Sequence, residues 1–551
     1  MAIKDESSTS ISEAAKLRVN VKLVLARVVV RDSKGNSIGN LQKEDFELFD
    51  NGKPQVISSF DLHHVSPGTP AASTSTVPNS AVTPVENSPA LPVRYVVYLF
   101  DDLHLNFADL SMVRTAAIRR LQGLAPTDRV AIYSTSGQTS LDFTDDRSQL
   151  LETANKLQPR PLLGSEINPC PNITFYMADQ IVNKRDPSVL QAAINNYVQC
   201  ASIPTQAISS ASIYVESAAD QVLQIGEHES RLALGVLQNV VRRISAMPGQ
   251  RTLVLVSPGF LTPELEYDYN DIIDRALRGQ VVISSLDARG LYTVIPFGDA
   301  SNPGVSDTPI PGQTTPNTPR ILLDTQEASA DDDILAVLAY STGGTFFHNN
   351  NDMDEGLRRV ADVPEFYYML GFTPQNLKLD GKFHTLKVTL KAKGKFDLQA
   401  RRGYFAPKHD VDAAEEAKRE IEDEVLSSEE LHDLPVALHT QFFKADDKSA
   451  KLTVLARVDV KRLHYKQAEN RNENKLTIVT AVFDRNGNFM EAVEKTVEMK
   501  WKSETLQNKL NSGITLKSSF DVKPGRYLVR VVARDSEQQV MSAENGAVEI
   551  P

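Results

Sequence analysis

A run of apolar residues that ends in two adjacent aspartates constrains this chain more than any other feature. The segment Arg94–Asn106 reads RYVVYLFDDLHLN, and its first seven residues have the pattern of a buried strand. In an open α/β sheet, ligands bind just beyond the carboxyl ends of the strands, so Asp101 and Asp102 would lie where a site forms. Asp and Asn also begin helices and form turns, which leaves a purely structural role as the alternative.

Length and composition limit the class of protein. A chain of 551 residues is too long for one core, so we expect two to four domains. The hydrophobic content of 41% and the charged content of 24% are typical of a folded protein. The net charge of −12 argues against nucleic-acid binding, which needs a basic face. Since no run of about 18 apolar residues occurs, we expect no transmembrane segment.

The compartment depends on two conflicting signals. The first twenty residues lack the apolar core of a signal peptide, which predicts a cytoplasmic protein. The two cysteines, Cys170 and Cys200, lie in one segment and are compatible with one disulfide or with two buried thiols. Because a disulfide implies an oxidising compartment, we favour a secreted or periplasmic location and keep the cytoplasm as the alternative.

Changes in pattern divide the chain into segments. Strands and helices alternate in the central part, which predicts a doubly wound, mostly parallel, Rossmann-like α/β sheet. The last part has the alternation and turns of an antiparallel β-sandwich. The predicted segments are a disordered tail at 1–19, a small β-rich hairpin element at 20–65, a Pro/Ser/Thr linker at 66–92, the α/β domain and its β-rich extension at 93–407 with an insertion at 158–228, a charged helical linker at 408–434, and an Ig-like β-sandwich at 435–551.

The order of several motifs resembles the von Willebrand factor type A domain, and more narrowly the type A-related family of acidobacterial proteins. Asp45–Gln55 resembles the leading β-segment of that family, and Tyr95–Asp101 its first core strand. The later parts are matched by Arg251–Phe260, Leu286–Leu291, Phe366–Phe372 and Arg401–Pro407. The resemblance covers about residues 20–407 and implies a type A-like domain that recognises other proteins.

The resemblance also implies a metal-ion-dependent adhesion site, built from an Asp-x-Ser-x-Ser motif, a Thr and an Asp around a hard cation. This chain departs from the motif. Counted from Asp101, the serine positions are Leu103 and Leu105; counted from Asp102, they are His104 and Asn106. Ser257 precedes Pro258 and Gly259 where the motif has Asp-Gly. Thr144 is a possible hydroxyl ligand, but its position before the next helix favours an N-cap role. We therefore expect a degenerate site without a cofactor, with Mg²⁺ or Ca²⁺ at Asp101 and Asp102 as the alternative.

These observations together predict a non-enzymatic protein that binds an unidentified protein partner, as an adhesion-type scaffold. The candidate binding surface consists of Asp101, Asp102, His104, Asn106, Thr144, Ser257 and Asp287. One alternative is a hydrolase that uses the polar strand ends around Ser257, although the chain has no Gly-x-Ser-x-Gly elbow. Another is a structural component of the cell envelope that assembles through its carboxyl-terminal sandwich.

Overall fold

The computed structural model describes most of the chain, and everything below concerns that part. The described residues are 24–32, 37–64, 94–161, 170–202, 208–291, 318–361, 366–374, 382–391, 395–406, 413–427, 431–444, 446–468, 470–510, 513–538 and 540–551. The predicted tail at 1–19 and the predicted linker at 66–92 lie outside these ranges.

Strands and helices are numbered in chain order. The strands are β1 (Val24–Arg31), β2 (Phe46–Asp50), β3 (Lys53–Gln55), β4 (Ile57–His64), β5 (Arg94–Phe100), β6 (Asp128–Ser134), β7 (Ser140–Thr144), β8 (Gln250–Ser257), β9 (Val281–Asp287), β10 (Phe346–Phe347), β11 (Phe366–Phe372), β12 (Phe383–Leu390), β13 (Asp397–Ala400), β14 (Gly403–Phe405), β15 (Leu431–His432), β16 (Val436–Lys444), β17 (Ala450–Val458), β18 (Lys466–Ala468), β19 (Arg471–Asp484), β20 (Phe489–Trp501), β21 (Ile514–Val522), β22 (Gly525–Asp535) and β23 (Val540–Ile550). The helices are α1 (Phe107–Gln122), α2 (Arg147–Asn155), α3 (Phe175–Val182), α4 (Pro187–Cys200), α5 (Ile208–Ser245), α6 (Glu266–Arg278), α7 (Thr318–Thr342), α8 (Met353–Ala361), α9 (Ala413–Leu426) and α10 (Ser503–Leu510).

Parallel pairing is confined to one mixed sheet of six strands. Its order is β10-β9-β8-β5-β6-β7, with four parallel pairs and one antiparallel pair, β6 with β7. The other four sheets of the described residues are antiparallel. A doubly wound, mostly parallel sheet is therefore wrong as the fold class of this chain, which is built mainly from antiparallel sheets. The physical reason is that β11, β12 and β13, expected as an extension of the α/β domain, pair with strands that precede that domain.

The mixed sheet buries β5 at its centre. Tyr95, Val97 and Leu99 pack on one face, in a core to which α5, α6 and α7 contribute. Val96, Tyr98 and Phe100 pack on the other face, with α1, α2 and α8. Successive strand side chains point to opposite faces, so a run of apolar residues without alternation fits a strand covered on both sides. This burial fixes the carboxyl end of β5, which carries the two aspartates.

A small sandwich combines strands that precede the mixed sheet in the chain with strands that follow it. One sheet has the order β13-β1-β11-β4, and the other has the order β14-β12-β2-β3. Val28, Leu48 and Tyr368 lie in the core between them and are almost fully buried. Residues 24–64 and 366–405 therefore form one unit, although about 300 residues of chain separate them.

The insertion is helical and contains a disulfide. Met177 of α3, Ala193 of α4 and Val215 of α5 share one core. Local residues define the helix starts: Thr174 caps α3, and Asp186 caps α4 with a proline in its first turn. Cys170 and Cys200 are joined by a disulfide. No helix within the described residues combines the length and apolarity of a membrane span.

The carboxyl-terminal unit packs two antiparallel sheets face to face. One has the order β15-β23-β22-β19-β18 with β20 beside β19, and the other has the order β16-β17-β21. Val454, Ile478, Phe520 and Val529 belong to their shared core. Alternation of buried and exposed residues along β17 places every second side chain in this core.

One face of α9, which lies in the predicted charged helical linker, docks on this unit. Glu420 and Glu424 lie one helical turn apart and form ion pairs with Arg534 and Arg530 of β22. The Arg530 side chain is fully buried, and its Nε also donates to the Glu424 carbonyl at 2.7 Å. Its Nη1 donates to Asn545 at 2.7 Å. The helix thus neutralises a buried cation of the sandwich.

We expect Glu424→Ala to lower the free energy of unfolding of the carboxyl-terminal unit by about 3 kcal/mol, because it leaves a buried guanidinium without its carboxylate. The matched control is Glu420→Ala, whose carboxylate is 44% exposed and whose loss should cost about 1 kcal/mol or less. Urea unfolding followed by circular dichroism measures both. Equal losses in the two variants would contradict the assignment.

Candidate functional site at the carboxyl edge of the mixed sheet

Polar side chains from three parallel strands meet at one edge of the mixed sheet. Asp101 and Asp102 follow β5, Ser257 ends β8, and Asp287 ends β9. Because these strands run parallel, their carboxyl ends lie at the same edge. Asp101, Asp102, Ser257 and Asp287 are all at least 97% buried. Of the predicted binding residues, these four and His104 are brought together.

The Asp101 carboxylate accepts hydrogen bonds from three loops. Ser257 Oγ donates to Oδ2 at 2.6 Å, and Thr135 Oγ1 donates to Oδ1 at 2.8 Å. His104 Nδ1 lies 2.9 Å from both carboxylate oxygens. A buried carboxylate is costly unless it is paired and hydrogen-bonded, and here both oxygens have donors.

The pKa values of Asp101 and His104 move in opposite directions. Burial alone would raise the pKa of Asp101, but the attraction and hydrogen bond of His104, with those of Ser257 and Thr135, outweigh it and lower the pKa. Burial alone would lower the pKa of His104, but Asp101 outweighs it and raises the pKa. The imidazole also stacks on Phe260, with ring centroids 5.0 Å apart and planes 10° apart. The pair is therefore an internal carboxylate–imidazolium contact held under an aromatic ring.

Asp102 has a separate set of donors on the loop after β6. Its Oδ2 accepts from Ser136 Oγ at 2.6 Å, and its Oδ1 accepts from the Ser136 backbone N–H at 2.8 Å. Thr135 Oγ1 lies 3.2 Å from the same Oδ1 and so bridges the two aspartates. The Asp102 backbone carbonyl accepts from the Arg160 N–H at 2.6 Å, which fixes the start of the insertion against this loop.

Asp287 lies beside an arginine that the sequence analysis did not single out. Its carboxylate accepts from the Arg289 backbone N–H and Nε, both at 3.0 Å. The same guanidinium pairs with Asp332 of α7. Burial raises the pKa of neighbouring Asp331 to about 7, although Arg289 and His104 oppose the rise. Gly259 lets α7 approach this closely, because a Cβ there would lie 2.3 Å from the Asp331 carbonyl oxygen.

Two predicted site residues have other roles. Asn106 is the N-cap of α1, and its side chain accepts from the Asp109 N–H at 2.9 Å. Thr144 is paired with Val130 at the start of β6, so it lies at the opposite edge of the sheet. Its Oγ1 accepts from the Asp146 N–H at 3.0 Å, while Asp146 caps α2.

Thr135 and Ser136 were missed, although one signal was present. Both follow β6, and the strand-end rule applied to β5 would have selected them as well. Arg289, Asp331 and Asp332 had no comparable signal, because their proximity depends on how α7 packs against β9.

Carboxylate and hydroxyl oxygens are suitable ligands for a hard cation, but in this cluster they form hydrogen bonds with one another. Among the described residues, no group of three or more His, Cys, Asp or Glu side chains is placed to hold a metal. Asp101 and Asp102 already accept from Thr135, Ser136 and Ser257. Ser257 donates to the Asp101 carboxylate, which His104 Nδ1 also contacts.

Comparison with known proteins adds no argument about function. No protein-family model and no curated protein matches the chain. The solved structures to which it is similar include β-glucuronidase 2 of Bacteroides uniformis covalently bound to cyclophellitol-6-carboxylate aziridine, with 12% identity over 21% of this chain and 13% of that chain, at a TM-score of 0.14. They also include a glycosyl hydrolase family 2 member from Bacteroides cellulosilyticus DSM 14838, with 10% identity over 35% of this chain and 21% of that chain, at a TM-score of 0.16. A third is dimeric latent PorU from Porphyromonas gingivalis, with 13% identity over 35% of this chain and 14% of that chain, at a TM-score of 0.13. The chain thus spans 21% or less of each of these chains, and such TM-scores identify neither a shared fold nor a shared activity.

The titrating groups of this site predict a loss of stability as pH rises. The pKa of Asp331 is raised from 3.8 to about 7, so the folded state binds more protons than the unfolded state between these values, and stability falls across that range. The raised pKa of His104 stabilises the fold below 6.5, and this contribution is lost as pH rises through the folded pKa. We expect the free energy of unfolding to fall between about pH 5 and pH 8.

His104→Gln should reduce this pH dependence, because it removes the imidazolium that partners Asp101. The control is His439→Gln, at an exposed position on β16. Urea unfolding at a series of pH values gives the slope for each protein. A slope in His104→Gln that equals the unsubstituted protein's would contradict the role given to His104.

Proposed function

We propose that this protein is a non-enzymatic scaffold that recognises another protein through the carboxyl edge of its mixed sheet, without a metal ion. One observation carries the proposal: His104 Nδ1 lies 2.9 Å from both oxygens of the buried Asp101 carboxylate. In the type A domains that the sequence resembles, a divalent cation supplies positive charge at the corresponding aspartate. Here a protonated side chain of the same chain supplies it.

The environment of the edge supports a binding role. The polar groups beneath it are paired with one another, so the surface is rigid and needs no rearrangement before it meets a partner. Phe107, next to the Asn106 cap, is 71% exposed, and Leu291, beyond Asp287, is 55% exposed. Aromatic side chains such as Phe107 are enriched at protein interfaces relative to the rest of the surface.

The disulfide supports a location outside the cytoplasm. Cys170 and Cys200 close a loop of 30 residues within the insertion. Disulfides persist in oxidising compartments, so we propose a secreted or periplasmic protein whose partner is also exposed there.

Site-specific crosslinking tests the binding surface. With p-benzoylphenylalanine at Phe107, we expect irradiation in envelope extracts of the source organism to give one defined protein adduct. The matched control is the same replacement at Phe443, which is 73% exposed on the carboxyl-terminal unit. The adduct should persist with EDTA. Loss of the adduct in EDTA, or the same adduct from Phe443, would contradict the proposal.

Calorimetric titration tests the role of the imidazolium. The unsubstituted protein should give no saturable heat with Mg²⁺, Mn²⁺ or Ca²⁺. We expect His104→Ser to bind Mn²⁺ or Mg²⁺, because it leaves the oxygens of Asp101, Thr135 and Ser257 around the vacated position. Adding Asp101→Ala should abolish that binding. Saturable binding by the unsubstituted protein that Asp101→Ala removes would show that the site uses a metal after all.

A further inference from the structure

A cavity lies at the amino edge of the mixed sheet, opposite to the Asp101 cluster. It is enclosed between this edge and the small sandwich. Its volume is about 360 Å³, within the range of small-molecule sites. Alternation along β1 turns Leu25, Arg27, Val29 and Arg31 away from the sandwich core and towards the cavity. The facing wall comes from the starts of β8 and β9 and the end of α6.

The charge of the cavity wall is entirely positive among the described residues that line it. Six arginines contribute, and no aspartate, glutamate or lysine does. These arginines are Arg27, Arg31, Arg251, Arg278, Arg359 and Arg401. Positive charges that are concentrated in a partly enclosed cavity attract anions.

Several of these arginines are held by the protein. Arg278 and Arg359 pair with Asp274 and Glu355 on their own helices. Arg251 donates to the carbonyls of Met247 and Gly279, at 2.6 and 2.7 Å, and to that of Leu426. These contacts set the positions of the guanidinium groups and explain how the cavity keeps its shape.

Arg401 differs from them. Its Nε is buried and has no hydrogen-bond partner among the described residues. Burial lowers the pKa of Arg401 to about 10, and Tyr404 opposes this only in part. A buried guanidinium donor without an acceptor is costly, and an oxyanion would satisfy it with charge-assisted hydrogen bonds.

We propose that this cavity binds a small amphipathic anion, whose carboxylate or phosphate group meets Arg401 and whose apolar part lies along Val29 and Met369. Both of these apolar side chains line the cavity. The site is separate from the protein-binding edge, so it adds a ligand to the proposed scaffold.

Calorimetry with octanoate, octyl phosphate and octan-1-ol, all below their micelle concentrations, tests the proposal. We expect one of the two anions to bind with one-to-one stoichiometry and octan-1-ol to bind at least about 10-fold more weakly. Tighter binding of octanoate identifies a carboxylate ligand, and tighter binding of octyl phosphate identifies a phosphate ligand. Failure of both anions to bind, or equal binding of octan-1-ol, overturns the proposal.

Two variants and a matched control place the ligand. Arg401→Gln should weaken anion binding about 10-fold or more. Arg402→Gln removes the same charge from the next residue, whose guanidinium lies over the Tyr340 ring, and should leave binding unchanged. Leu25→Trp narrows the cavity at a side chain that is 38% exposed, keeps all charges, and should also weaken binding. Circular dichroism confirms that each variant is folded. Full affinity in both Arg401→Gln and Leu25→Trp overturns the assignment.

Discussion

The structure of the carboxyl edge of the mixed sheet depends on the hydrogen bonds to the Asp101 carboxylate. The carboxylate is fully buried and ionised, so it needs donors from its surroundings. They come from the loops after β5 and β6 and from the last residue of β8, which are far apart in sequence. One buried charge therefore fixes three loops at once, and the loop after β9 is fixed separately by Asp287 and Arg289.

The two edges of the sheet handle buried charge in opposite ways. At the carboxyl edge, aspartates are buried and a histidine and hydroxyl groups satisfy them. At the amino edge, Arg251 is buried and backbone carbonyls satisfy it, whereas the buried Nε of Arg401 has no acceptor among the described residues. The first arrangement satisfies the carboxylates within the described residues, whereas the second leaves one guanidinium N–H without an acceptor there. This difference is why we assign a protein surface to one edge and a small ligand to the other.

Sequence reasoning succeeded where a local rule decides the position of a residue. The strand-end rule brought Asp101, Asp102, Ser257 and Asp287 to one edge, because all three strands are parallel. Thr144, which the resemblance to type A domains implied as a hydroxyl donor, lies at the other edge because β7 is antiparallel, and apolar periodicity does not report the direction of a strand. The fold class was wrong for a related reason: the pairing of Val28 with Tyr368 joins residues 340 positions apart, and no local signal encodes it.

The same long-range pairing explains why the basic cavity exists. The small sandwich forms only when residues near 64 and 366 are brought together. The mixed sheet and its helices, which lie between them in the chain, bring these residues together. Arg94, at its start, pairs with Asp128 and donates to the Ala361 carbonyl at its end, at 3.4 Å. Folding of the layer therefore reduces the entropy cost of closing the sandwich. Once closed, β1 and β11 expose their outer faces to the amino edge of the layer, and two surfaces rich in arginine face each other. The cavity is thus a product of the topology, because it forms where the outer face of the small sandwich meets the amino edge of the mixed sheet.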